Sequence, residues 1–287
     1  METAKEKGEI TLARRNFFER MEREINFRNE YVKIENMVLV DERRGYPSIE
    51  DEIDKLFLNW KRKGNYASFQ ELRAQMGFQY TWRVNGIEYH RRALNADDFI
   101  LYCEMMLNMF YCVIAPNGSD LHTRQIRNII EIMKYDLEKI NHEIVERNDR
   151  SIIIVQKDAA ATAVVDIVEP DLAEEIIEYN HHMLKGNLRE KQMILKRIAD
   201  ALEPRRAELK AANKTIENDF FYMVNAMNVR HNNCDPADQG KYNEKFAKLS
   251  AKEQEEWYDN IYQEGLMAFL SLEQVKREKK IADFKKK

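Results

Sequence analysis

The chain has 287 residues, 33% of them charged and 44% hydrophobic, with only nine glycines and five prolines. That balance excludes a disordered or collagen-like chain and favours a helical globular protein, with core enough for one large body or two modest ones. A net charge of −4 excludes a global basic field for nucleic acid or anionic membrane, so any RNA contact would have to be local.

No apolar run approaches the roughly 20 residues needed to cross a bilayer, so no membrane partner is expected. The opening Met1 to Lys7 lacks the apolar core of a secretory signal. Cys103 and Cys112 fall on one predicted helix but point to opposite sides of it, and Cys234 stands apart. Neither metal-ligand spacing nor a disulfide framework emerges, and a cytoplasmic location is the expectation.

The pattern divides near residue 150. In region 1–150, an amphipathic helix is predicted from Ile10 to Glu35, using Phe17, Phe18, Met21 and Ile25. Ser48 caps a second, Ile49 to Lys61, with acids in its first turn and Leu56, Phe57 and Trp60 on its buried side. Residues 78–91 carry the one clear β-hairpin signal. Phe78, Tyr80, Trp82 and Val84 alternate with polar residues up to Asn85-Gly86, which predicts pairing of Val84 with Ile87 and Arg83 with Glu88. The aromatic face of that hairpin either covers neighbouring helices or forms a stacking platform for bases beside Arg83, His90, Arg91 and Arg92. Asn95 then caps a long apolar helix that stops at Ala115-Pro116. From Ser119 a helix is predicted to run to Arg147, with a heptad seam of Ile126, Ile130, Met133, Leu137, Ile140 and Ile144. Such a seam supports either an internal helical hairpin or a homodimer.

In region 151–287, residues 151–156 read as a short buried strand that could extend the hairpin sheet. Asp158 caps a small helix, and Pro170 opens another that ends at Gly186. Asn187 and Glu190 resemble a capping box for a helix carrying Leu195, Ile198 and Leu202, which Pro204 interrupts. From Thr215 comes the most apolar helix, with Phe220, Met223, Val224 and Met227 on one stripe and Phe221, Tyr222 and Val229 opposite, so burial all round is expected. It ends in Arg230-His231-Asn232-Asn233. Ser250 and Glu253 box the last helix, whose apolar side holds Trp257, Ile261, Ala268, Leu272 and Val275. The basic tail from Lys276 is expected to fray. The fold class is therefore mainly α, a multi-helix bundle with a small β-hairpin element in its N-terminal half.

The chemistry narrows by elimination. Adjacent His181 and His182 diverge by about 100° on a helix, unlike chelating i, i+4 pairs, so no metal is assigned. No Walker loop, dinucleotide turn or nucleophile elbow occurs, and no small-molecule cofactor is implied. Lys196, Arg197, Arg205, Arg206 and Lys210 read either as a solvated helix face or as a phosphate-tracking surface. Arg230 and His231 remain. They either close a helix end by bonding its last carbonyls or serve a phosphodiester, the imidazole moving a proton and the guanidinium steadying developing charge.

A buried helix ending in Asn228, Arg230, His231, Asn232 and Asn233, within a helical region from about Asp158 to Leu272, resembles the HEPN superfamily, particularly the domains of bacterial abortive-infection proteins. The resemblance implies a helical bundle, commonly dimeric, that cleaves RNA without metal. It makes Arg230 the motif arginine and His231 its adjacent polar residue, with Asn232 and Asn233 lining the site; Arg230 and His231 are the expected catalytic pair, and Asn228, Asp235, Arg205 and Arg206 are further expected binding residues. Where that family carries a distal histidine, this chain has Asp235, Pro236 and Ala237, so His231 itself takes the proton-transfer role. The alternative is a non-catalytic helical module that recognises a protein partner.

Overall fold

The structure is a computed structural model that describes residues 25–39, 47–62, 64–78, 83–84, 87–88, 94–114 and 121–286. Two compact units divide between Ile140 and Asn141. As the composition implied, the protein is mainly α-helical with minor β-hairpin structure.

The first unit contains α1 (Phe27–Leu39), α2 (Ile49–Phe57), α3 (Phe69–Gln75), β1 (Arg83–Val84), β2 (Ile87–Glu88), α4 (Ala96–Val113) and α5 (Leu121–Lys139). Helix α4 is its axis. Phe99, Tyr102, Met106, Leu107 and Phe110 are buried around it, under α1, α2 and α5. Ser48 and Asn95 form the capping boxes that start α2 and α4. The predicted hairpin register holds, with Arg83 opposite Glu88 and Val84 opposite Ile87. Tyr80, Trp82, Tyr89, His90, Arg91 and Arg92 lie outside the described residues, as do Phe17, Phe18 and Met21.

Two expectations for this unit are corrected. Helix α2 stops at Phe57 and buries Ile49, Ile53 and Phe57, leaving Leu56 exposed. Helix α5 stops at Lys139, not Arg147: Asn141 adopts a left-handed φ of 60°, and the chain turns into β3 (His142–Glu146). The i, i+4 spacing of Ile140 and Ile144 suits a helix, but Ile144 faces Ile154 across an antiparallel ladder instead. Ile126, Ile130, Met133 and Leu137 are all buried, with α5 packed on α4 and α1, so the seam is consumed within the unit.

The second unit begins with β3 and β4 (Ile152–Gln156), which pair with each other and form a sheet separate from β1–β2. Then come α6 (Ala159–Val165), α7 (Pro170–Tyr179), α8 (Leu188–Leu202), α9 (Arg206–Ala212), α10 (Lys214–Ala226), α11 (Glu244–Ala247) and α12 (Ala251–Lys285). Pro204 lies in a single 3-10 turn between α8 and α9, which is how it ends one helix and starts the next. Ile194, Leu195, Ile198 and Leu202 of α8 face Ile261, Leu266, Phe269 and Leu272 of α12, all buried in one core with Phe220 and Val224 of α10. A Cβ built on Gly265 would meet Ile198 Cγ2 at 2.8 Å and Phe220 at 3.2 Å, so this glycine permits the close approach of α12 to its neighbours. Lys191, nearly buried on α8, ties it to Glu255 and Asp259 of α12 at 2.8 Å each.

Several sequence expectations shift here as well. Helix α10 ends at Ala226, so Arg230 and His231 belong to the loop beyond it, and Tyr222 is 65% exposed where burial all round was expected. On α12 Ile261, Ala268 and Leu272 are buried as expected, but Trp257 is 39% exposed and its neighbour Tyr258 is buried in its place. Its basic end does not fray but stays helical to Lys285. Helix α7 ends at Tyr179; His181 forms a bridge with Val155 and Met183 is exposed. Among the described residues no helix is long and apolar enough to cross a membrane.

Candidate functional site

The exit from α10 builds the site. Beyond its last turn, Asn228 takes a left-handed φ of 58°, a conformation that asparagine tolerates better than most residues. The chain doubles back, so the Arg230 N–H reaches the Val224 carbonyl at 3.2 Å. Two side-chain amides, the buried Asn233 and the partly buried Asn243, then knit the loop. Asn233 accepts from the Asn228 N–H at 2.8 Å and donates to the Lys241 carbonyl at 2.5 Å. Asn243 donates to the Ala226 carbonyl at 2.8 Å and caps α11 by accepting from the Phe246 N–H. Gln192 on α8 donates to the Asn228 carbonyl. The Asn228 amide also bonds the Tyr258 hydroxyl, whose pKa burial nevertheless pushes up to about 12.

Arg230 leaves this loop toward the end of α8. One terminal nitrogen donates to the Ala199 carbonyl at 3.1 Å, and Asp200 lies 3.9 Å from it. The other meets Glu203 at 2.5 Å. The guanidinium also lies over the Phe221 ring, 5.5 Å from its centroid. Only 18% of the side chain is exposed. A helix C-terminus presents unpaired carbonyls and partial negative charge, and a cation there satisfies both.

Arg206 reaches the same aromatic ring at 4.4 Å and donates through Nε to Glu217 at 2.6 Å. Glu217 is 1% exposed, and its second carboxylate oxygen is buried without a hydrogen-bond partner. Glu203, 3.9 Å from Arg206 and bonded to Arg230, joins the two arginines into one network.

The eight residues singled out from sequence therefore separate by role. Arg206 and Arg230 converge on Phe221. Asn228 and Asn233 hold the loop's backbone. Asn232 is exposed and donates to Asp235, which in turn accepts from the Ala237 N–H as a turn residue. Arg205 points elsewhere: it pairs with Glu208 at 3.3 Å and lines an open groove of about 960 Å³ between α9 and the distal half of α12. The partly exposed His231 ring makes no hydrogen bond among the described residues, so no carboxylate orients it as catalytic histidines are usually oriented.

Sequence reasoning missed Glu203, Glu217 and Phe221. Glu203 was legible only as part of a mixed-charge run, and Glu217 sits where an acid in a first helical turn is unremarkable. Thiol chemistry finds no support, because burial raises the pKa of Cys103, Cys112 and Cys234, disfavouring the thiolate.

Fold and site thus define a mainly α-helical protein whose second unit centres on a long helix and an arginine-closed helix end. No family model, curated protein or solved structure matches this chain.

Proposed function

We propose that this chain is a non-catalytic helical module that acts by binding a protein partner, with Arg230 clamping the α8 end to the α10 exit. The observation that supports this reading is the contact of the largely buried Arg230 guanidinium with the Ala199 carbonyl, Glu203 and Phe221. A phosphodiester at that position would have to displace a carboxylate already 2.5 Å from the guanidinium.

The HEPN-like alternative keeps its RNA-binding arginine only if Arg230 exchanges Glu203 for a phosphate. Incubating the purified chain with total RNA in EDTA separates the two readings. The module reading expects no cleavage. Cleavage that disappears in His231→Ala while the fold is retained would replace it with the ribonuclease.

A further inference from the structure

We infer that the chain self-associates by antiparallel pairing of α12, the basic, apolar end of one copy docking in the Tyr222–Trp257–Met267 groove of a second. The inference rests on the reading of the chain as a binding module and names that module's partner.

Helix α12 continues well past its last buried residue, Leu272. The projecting part carries Ile281, 52% exposed, and Phe284, 81% exposed. Met267, Leu270, Gln274, Arg277, Ile281 and Phe284 recur at alternating three and four, the spacing of a coiled-coil seam; Leu270 leans partly on the core of its own unit, and the other five are exposed. Upstream on the same helix, Trp257, Asn260, Gln263 and Met267 join Tyr222 of α10 in an open groove of about 500 Å³. Apolar patches of this kind on a folded surface mark contact sites.

Charge decides the occupant. Residues 253–264 hold five acids and no base, whereas residues 273–286 hold six Lys or Arg against three acids. At the groove's rim, Glu264 has one carboxylate oxygen buried without a hydrogen-bond partner, and burial together with Asp219 holds its pKa up, so a cation there is favoured. The chain's own tail cannot supply it. Phe284 stands about 40 Å from Trp257 along one unbroken helix at about 1.5 Å per residue. A second copy running antiparallel can: it lays Ile281 and Phe284 within a turn of Asn260 and Trp257 and brings Arg277 and Lys280 to Glu264. The twofold axis then falls near Ser271, and each copy gives and receives the same contact. A seam about 40 Å long and about 12 Å wide removes on the order of 1,000 Å² from water over both copies, the lower bound for a specific interface.

Sedimentation equilibrium of the full chain at low salt tests this. A reversible monomer–dimer equilibrium is expected, weakened by added salt, with dissociation raised about tenfold or more by Phe284→Asp. Phe284 is too exposed for that change to threaten folding. A charge exchange supplies the second arm. Arg277→Glu/Lys280→Glu and Asp219→Lys/Glu264→Lys should each be monomeric alone and pair when mixed. A chain that stays monomeric throughout overturns the inference, as does a dimer indifferent to Phe284→Asp or a mixture that fails to pair. None of these results bears on Arg230, whose clamp role has its own stability measurement.

Discussion

Replacing Arg206 with alanine isolates the most costly feature of the arginine network. Glu217 is 1% exposed and holds one charge-assisted bond, from Arg206; its other oxygen has no partner. Deleting one member of a buried pair costs about 3–5 kcal/mol because the remaining charge is stranded. Arg206 is 44% exposed, so water would enter the space it vacates, and about 2 kcal/mol is the better figure. For a protein of this size that lowers Tm by about 3–4 °C.

The same reasoning makes Glu217→Gln stabilising, by about 1 kcal/mol, in the Arg206→Ala background, where it removes the stranded charge. Thermal melts of the two single variants and the double variant provide the assay. A double variant no more stable than Arg206→Ala would refute the claim that Arg206 neutralises Glu217.

Arg205→Ala, by contrast, should change stability by less than about 0.5 kcal/mol, since Arg205 and Glu208 are a solvent-exposed pair, and a melt beside Arg206→Ala checks it. Gly265→Ala should destabilise by about 1–3 kcal/mol in urea unfolding, because the new methyl would overlap Ile198 and press on Phe220. In the first unit, burial and then Glu30 push the Asp136 carboxyl up to about 6. A carboxyl whose folded pKa is raised keeps its proton in the folded state while the unfolded chain loses it, so stability should fall as pH rises from about 4 to 6, by up to about 3 kcal/mol. Asp136→Asn should flatten that segment of the stability–pH curve and be more stable than the parent above pH 7. Unchanged curves would contradict it.

Local rules carried the helix starts in this sequence. Ser48, Asn95, Asp158, Asn187 and Ser250 each accept the backbone hydrogen bond that their position predicts, because a cap needs only its own next three residues. The Asn85-Gly86 turn fixed its register for the same reason. Non-local facts were not legible. Ile144 fits a helical period and a strand period equally, and only its pairing with Ile154 selects the strand. Tyr222 and Trp257 are as hydrophobic as their buried neighbours, and their exposure depends on how α10 and α12 meet.

At the site, sequence marked Arg230 and Asn233 as residues that matter at a helix exit, which both are. It could not assign Arg230 its partners, since Ala199 and Glu203 lie two helices away in the chain and act through a carbonyl and a carboxylate at the Pro204 break. Nor could it separate Arg205 from Arg206, whose side chains take opposite duties one residue apart.

The most direct test of the central claim is a double-mutant cycle on Arg230 and Glu203, read by thermal unfolding alongside RNA digestion in EDTA. The clamp account predicts that Arg230→Ala destabilises the chain by about 2 kcal/mol, that about 1 kcal/mol of this is coupling to Glu203, and that RNA is untouched by parent and variant alike. An Arg230→Ala chain as stable as the parent that has lost an RNA-cleaving activity would contradict it.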